Sequence, residues 1–180
     1  PPKKFILYVG NLKPHKNIER LLQAYKKWIH AKGNEVHLVL IGKHFKDYPV
    51  YETVRRTSEF ENQVHFLDSV NNDDLRWFYS HALMNVLPSM YEGFGLPPLE
   101  AMCCGCPTLV AKTASLPEVC GDASCYVDPY SVESIFEGMR LISEDEKLRS
   151  ALIEKGHRRA AALQWKESVD EHVRVFEKIT

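Results

Sequence analysis

The chain has 180 residues, which is enough for one domain with its own hydrophobic core. Its 23 Lys and Arg residues nearly balance its 24 Asp and Glu residues. The resulting net charge of −1 excludes a general attraction to nucleic acid or to anionic membranes, so any phosphate must be bound by a local site. The longest apolar runs are far shorter than the ~20 residues of a membrane span.

Six short apolar runs, nearly continuous and ended by glycine or polar residues, are typical of buried strands. In chain order, the predicted strands are Phe5–Val9, 36–41, Val64–Leu67, 83–87, Thr108–Ala111 and Cys125–Val127.

Helical spacing of apolar residues separates these runs. The first helix has Asn17 as its predicted N-cap and ends near Gly33. The remaining predicted segments are helices at 51–61, from 73 through 78 and at 99–104, a short turn at 116–119, and three helices from 132 onward.

Regular alternation of strand and helix predicts an α/β fold with a doubly wound, Rossmann-like parallel sheet. In such a sheet ligands bind beyond the carboxyl ends of the strands. Gly10, Gly42 and the loop 89–95 each follow a predicted strand. We therefore expect them to form one binding edge.

The loop after the fourth strand combines features of an anion site with two carboxylates. Gly93 and Gly95 allow close approach of a ligand to the backbone, and the loop runs into a helix whose N-terminus favours anions. Glu92 lies on the loop and Glu100 in the first turns of the helix. Carboxylates accept hydrogen bonds from hydroxyls, so the pattern indicates a ligand with both phosphate and polyol parts, such as a nucleotide sugar.

This stretch, E-G-F-G-L-P-P-L-E at 92–100 followed by A-M-C-C-G-C-P, resembles the E-x(7)-E signature of retaining GT-B glycosyltransferases of family 4, the "glycosyl transferases group 1" domain. Segments 8–17, 38–42, 64–67 and 116–123 resemble further parts of that domain in the expected order. The resemblance implies that residues 1–180 are the C-terminal, nucleotide-sugar-binding half of a GT-B enzyme. The N-terminal acceptor domain is then absent, with its linker just upstream.

The resemblance implies a role for each residue that matches the family's motif. Glu100 would accept hydrogen bonds from the ribose hydroxyls. Glu92 would be the catalytic residue, placed by the donor sugar to hold a hydroxyl or to stabilise positive charge at the anomeric carbon. Phe94, Gly95 and Leu96 would act through their backbone N–H groups.

The first turn departs from the family's pattern. The family usually has an arginine directly after the glycine that corresponds to Gly10, and this chain has Asn11. Lys16 matches the lysine that neutralises the diphosphate. Lys13 or His15 is the candidate replacement for the missing guanidinium. The donor site implied by the resemblance therefore comprises Gly10, Asn11, Lys13 and Lys16, the glycine loop (residues 89–95), Leu96 and Glu100. After the third strand, the chain also has Asp68 where the family commonly has glycine.

The implied activity is metal-independent transfer of a hexose from a nucleoside-diphosphate sugar to an acceptor hydroxyl of a glycan or lipid-linked glycan, with no cofactor. Asp73 and Asp74 are interpreted as residues of a helix N-terminus and not as a metal site. Residues 8–17 resemble bacterial mannosyltransferases of polysaccharide assembly, which favours GDP-mannose as the donor.

Five cysteines, at 103, 104, 106, 120 and 125, match no zinc-binding spacing. They indicate reduced thiols in a cytoplasmic protein. Any attachment to the inner face of the membrane would come through the full-length chain.

Two other classes of function stay open. One is a non-catalytic nucleotide or phosphate sensor, and the other is a nucleotide-sugar epimerase or phosphorylase on the same fold.

Overall fold

The computed structural model describes residues 2–43, 45–57, 60, 62–163 and 165–179. Its six strands form one sheet in the order β3-β2-β1-β4-β5-β6, and every neighbouring pair is parallel. The strands are β1 (Phe5–Val9), β2 (His37–Ile41), β3 (Val64–Leu67), β4 (Met84–Leu87), β5 (Thr108–Ala111) and β6 (Cys125–Val127). The predicted strands are confirmed to within one residue.

The helices are α1 (Ile18–Lys32), α2 (Pro49–Arg56), α3 (Asn72–His81), α4 (Leu96–Cys103), α5 (Leu116–Cys120), α6 (Val132–Glu144), α7 (Glu146–Ala161) and α8 (Trp165–Glu177), with 3-10 turns at Pro14–Lys16 and Phe45–Asp47. No helix among these described segments is long and apolar enough to cross a membrane.

Three predicted helix boundaries are wrong. The predicted helix 51–61 begins at Pro49 and ends at Arg56, where the next residue, Thr57, adopts extended backbone angles. Its predicted end, Glu61, lies outside the described residues. The helix predicted at 99–104 begins at Leu96, three residues earlier than expected. Gly95 adopts a left-handed conformation before it, and the two prolines after Leu96 fit a first helical turn.

The sheet is covered on both faces, as expected for a doubly wound fold. Side chains alternate along β1, so that Ile6 and Tyr8 pack in a core with α1 and α6, whereas Phe5 and Leu7 pack in a second core with α3. All four are buried. The described strands are therefore mostly apolar, and their buried polar residues, Asn85 and Thr108, lie near the starts of β4 and β5.

The strand order changes direction between β1 and β4, which makes their carboxyl ends the topological switch point. The neighbouring ends of β1 and β2 approach closely. The Gly10 N–H donates to the Ile41 carbonyl at 2.8 Å. A Cβ atom at Gly42 would lie only 2.1 Å from the Gly10 carbonyl oxygen. Glycine at 42 thus permits the packing of the two loops at the expected binding edge.

Two histidines pair across the neighbouring strands β2 and β3. Nδ1 of His37 on β2 lies 2.9 Å from Nε2 of His65 on β3, and the rings stack with centroids 5.1 Å apart. Partial burial, and then the neighbouring His37, lower the pKa of His65 below its ordinary value. The folded state therefore disfavours a proton on His65 compared with the unfolded chain.

This pair predicts a pH dependence of stability. Because the pKa of His65 is lower in the folded state, the stabilisation is complete above the ordinary histidine pKa of about 6.5 and decreases as the pH falls below it. We expect His65→Gln to remove part of that decrease, measured as the free energy of unfolding between pH 5 and 8. His172→Gln, on the exposed helix α8, is the control and should leave the slope unchanged. Identical slopes for both variants would contradict the interpretation.

Candidate functional site

The loop after β1 is held by a buried tyrosine. Burial, and then the charge of Glu92, raise the pKa of Tyr8 well above its ordinary value, so that its phenol stays neutral and donates to the Asn11 carbonyl at 2.6 Å. A Cβ atom at Gly10 would lie 2.8 Å from the phenol oxygen. The Asn11 side chain in turn accepts from the Lys13 N–H at 3.3 Å. Asn11 therefore shapes this turn through its own side chain.

Lys16 and Glu92 form an ion pair at the switch point, although 76 residues separate them in the chain. The Lys16 Nζ donates to both Glu92 carboxylate oxygens, at 2.7 and 2.9 Å. The Ser89 hydroxyl also donates to Glu92, at 2.7 Å. The side chains of Lys16 and Glu92 are only 15% and 10% exposed, which strengthens their attraction compared with a surface pair. The N–H of Met90 donates to the His15 carbonyl at 2.8 Å and joins the same two loops.

The glycine loop is braced from its other side by the segment between β5 and α5. The Ser115 hydroxyl lies 2.9 Å from the carbonyl oxygens of both Glu92 and Phe94. The Thr113 hydroxyl donates to the Ser89 carbonyl at 3.1 Å. The loop backbone is thus fixed at its start and at its middle.

Asn17 joins three loops at this edge. Its amide nitrogen donates to the carbonyl of Pro88 at 2.9 Å and to that of Pro129 at 2.6 Å, and its oxygen accepts from Arg20 at 3.0 Å. Asn17 is 3% exposed and left-handed, with φ of 62°. It precedes α1 as expected, but its side chain does not cap that helix. The predicted N-cap position is therefore confirmed, while the amide donates to the loops after β4 and β6 and makes no capping hydrogen bond.

The start of α4 offers few free N–H groups. Gly95 is the residue before the helix, with φ of 106°, and the first three helical positions are Leu96, Pro97 and Pro98. Prolines have no N–H, so two of the four donors normally left unpaired at a helix start are missing. Gly95 and Leu96 supply the two that are left. Phe94 and Leu96 also have exposed side chains.

Glu100 has a different partner from Glu92. The hydroxyl of Tyr79, on α3, donates to Oε2 of Glu100 at 2.9 Å. Glu100 is exposed on α4, whereas Tyr79 is buried. The two glutamates of the motif are therefore held separately, Glu92 by a cation and a hydroxyl of the loop, and Glu100 by a phenol of the neighbouring helix.

A polar cavity of about 340 Å³ opens beyond the carboxyl ends of β2 and β3. Its lining residues are Lys43, Lys46, Asp47, Asp68 and Ser69. This cavity lies on the β2 side of the switch point, next to the loop that contains Gly10.

The structure brings Lys16 and Glu92 into direct contact, and it places Gly10 and Asn11 at the same edge. Lys13 is exposed and lines a second cavity of about 300 Å³ with Arg20 and Tyr48.

Asp73 and Asp74 lie in the first turn of α3, where the Asn71 side chain accepts from the Asp74 N–H, so their interpretation as helix-start residues is confirmed. Sequence reasoning missed a set of supporting side chains: Tyr8, Tyr79, Ser89, Thr113 and Ser115.

Comparison with protein families places most of this chain in a single model. The model described as "Glycosyl transferases group 1" matches residues 1–159. The O-antigen chain mannosyltransferase B of Escherichia coli is 34% identical over 96% of this chain and 45% of its own length. The MMP alpha-(1->4)-mannosyltransferase of Mycolicibacterium hassiacum is 30% identical over 92% of this chain and 40% of its own length. The chain thus spans less than half of these relatives.

Solved structures share the fold. Sucrose-phosphate synthase from Thermosynechococcus elongatus superposes with a TM-score of 0.85 at 24% identity, covering 98% of this chain and 45% of that protein. The C-terminal domain of a glycosyl transferase group 1 family protein (LpcC) from Francisella tularensis superposes with a TM-score of 0.77 at 24% identity, covering 90% of this chain and 86% of that domain. The fold of this chain therefore matches a domain solved separately.

The three-loop contact of Asn17 predicts a large effect of a small change. Asn17→Asp keeps the side-chain shape but replaces the two donated hydrogen bonds by a buried carboxylate facing carbonyl oxygens. We expect a loss of about 1–3 kcal/mol or more in the free energy of unfolding, measured by denaturant titration. Asn72→Asp, at the exposed start of α3, is the control and should be nearly neutral because an acid is favoured there. Equal stability of the two variants would show that the contact contributes little.

Proposed function

This chain belongs to the glycosyl transferases group 1 family, and from that premise we propose that it is the donor-binding domain of a retaining, metal-independent glycosyltransferase. It binds a nucleoside-diphosphate sugar, whose hexose is transferred to an acceptor hydroxyl in polysaccharide or glycoconjugate synthesis. The observation that carries the proposal is the sheltered Lys16–Glu92 ion pair at the switch point of the sheet.

The diphosphate binds beside Lys16 and the start of α4. Lys16 supplies a cation, and Gly95 and Leu96 supply N–H groups at the positive end of a helix dipole. When the sugar leaves, negative charge grows on the diphosphate, and Lys16 shifts its hydrogen bonds from Glu92 toward the phosphate oxygens. This shift stabilises the leaving group without a metal ion.

Glu92 acts on the transferred sugar. Its carboxylate is neutralised by Lys16 before the donor binds. As Lys16 turns to the diphosphate, the carboxylate regains its charge beside the anomeric carbon, where positive charge develops. Ser89 and Ser115 hold Glu92 in place through its side chain and its carbonyl, so that the charge does not move away.

Glu100 accepts hydrogen bonds from the ribose, and the cavity beyond β2 and β3 takes the base. Guanine presents two adjacent N–H donors on one edge, and a carboxylate accepts both at once. Asp68 lines that cavity, which supports guanine over uracil or adenine. Both relatives described above are named mannosyltransferases, which supports GDP-mannose as the donor.

The acceptor is bound by a further domain. Because the matched relatives are more than twice as long as the matched segment, we propose that an N-terminal domain forms the other wall of the cleft and binds the acceptor glycan or lipid-linked glycan.

All five cysteines are free thiols, which supports a cytoplasmic location.

Calorimetric titration of the chain with GDP-, UDP- and ADP-sugars and with the free nucleotides tests the proposal. We expect the tightest binding for a GDP-sugar, a preference for the intact sugar, and the same affinity with a chelator as with magnesium. Asp68→Asn should reduce the preference for guanine. A chain that binds free nucleotide as tightly as any sugar nucleotide would instead be a sensor, and a large loss on chelation would refute the metal-free site.

The Lys16–Glu92 pair predicts opposite effects of its two members on the free nucleoside diphosphate. Lys16→Ala removes a charge-assisted contact worth roughly 1.5–3 kcal/mol, so the affinity for GDP should fall about tenfold to a hundredfold while that for guanosine is unchanged. Glu92→Gln removes a charge that repels phosphate, so the GDP affinity should not fall. Turnover of the intact enzyme with Glu92→Gln should fall about 10²–10³-fold.

Lys27→Ala is the matched control for charge, because Lys27 forms an exposed ion pair with Glu133. It should change neither affinity. If Lys16→Ala weakened GDP and guanosine equally, Lys16 would not contact phosphate. If Glu92→Gln weakened GDP as much as Lys16→Ala does, Glu92 would not act on the sugar.

A further inference from the structure

Tyr79 combines a buried ring with a hydroxyl that reaches Glu100 on α4. Tyr79 is 1% exposed and packs in the core that also contains Phe5, Leu7 and Phe78. Only its hydroxyl has a polar partner, the Oε2 atom of Glu100 at 2.9 Å. A ring fixed by the core thus ends in a donor aimed at a carboxylate on another helix.

The hydroxyl can act only as a donor to Glu100. Burial, and then the charge of Glu100, raise the pKa of Tyr79 far above its ordinary value, so the phenol stays neutral at every physiological pH. A carboxylate has two oxygens and about four lone pairs. Tyr79 therefore occupies one oxygen of Glu100 and leaves Oε1 for a ligand.

An exposed glutamate gains from such a partner because its side chain can otherwise adopt several rotamers. Glu100 is exposed on the short helix α4, and a glutamate side chain with three rotatable bonds loses considerable rotamer freedom when it binds a ligand. A hydrogen bond to a rigid phenol restricts those rotamers before the ligand arrives. The ligand then binds a carboxylate whose direction is already set.

We propose that Tyr79 is a positioning residue that fixes Glu100 so that its free oxygen faces the ribose hydroxyls of the donor. The proposal rests on the proposed function, in which Glu100 binds the ribose. It adds the residue that sets the preference for a ribose with both hydroxyls over one without them.

The test compares ligands that differ only at the ribose. Tyr79→Phe removes one oxygen atom and retains the buried ring. Affinities are measured for GDP and for 2′,3′-dideoxy-GDP, with the corresponding uracil and adenine pairs titrated in parallel, in Tyr79→Phe, Glu100→Ala and the double variant. We expect Tyr79→Phe to weaken GDP roughly three- to tenfold and to leave the dideoxy nucleotide unchanged. In the Glu100→Ala background, Tyr79→Phe should have no further effect.

Tyr25→Phe is the matched control. Tyr25 is also fully buried, and its hydroxyl donates to the Val36 carbonyl at 2.7 Å near the opposite edge of the sheet. It should lower the unfolding temperature without changing either affinity.

Two outcomes would overturn the inference on different grounds. If Tyr79→Phe weakened both nucleotides equally, or still weakened GDP in the Glu100→Ala background, Tyr79 would only support the core. If Glu100→Ala left the discrimination between GDP and its dideoxy form unchanged, the assignment of Glu100 to the ribose would fail first. The inference would then fail with it.

Discussion

The hydrogen-bonded pairing of β1 with both β2 and β4 determines where chemistry occurs in this domain. Parallel strands end at the same edge, so the loops after β1, β2 and β4 begin within about 10 Å of each other, two strand spacings at most. Apolar side chains fill most of both faces of the described sheet. The site is therefore a consequence of strand order, and the loops need only supply side chains and N–H groups.

The charge of Lys16 at that edge is balanced by an ion pair with Glu92. Lys16 is neutralised by Glu92, and the start of α4 has lost two N–H groups to Pro97 and Pro98. Under the proposed function, Lys16 must leave its carboxylate partner to bind the diphosphate, so a free anion would be attracted only moderately. The same exchange would release the Glu92 charge when a sugar is present and so link phosphate binding to sugar activation.

Local patterns in the sequence predicted most of the fold and the identity of the motif residues. Short apolar runs identified all six strands, because a doubly wound sheet buries its strands on both faces. The end of α2 could not be predicted, because apolar spacing does not reveal that Thr57 adopts extended backbone angles. The pairing of Lys16 with Glu92 also could not, because no spacing rule relates positions 76 residues apart. Tyr79 was hidden for another reason: a tyrosine beside Trp77 and Phe78 resembles any other core aromatic in a sequence.

The close approach of Gly42 to Gly10 constrains how this domain can be redesigned. A side chain at 42 would meet the backbone of the first loop, at 2.1 Å from the Gly10 oxygen, and that loop leads to Asn11 and Lys16. Under the proposed function, the segment after β2 contacts the base and is the one to exchange for a new base preference. A transplanted loop that did not begin with glycine would displace the residues proposed to bind phosphate while it altered those proposed to bind the base. Donor specificity would then be modular only beyond residue 42.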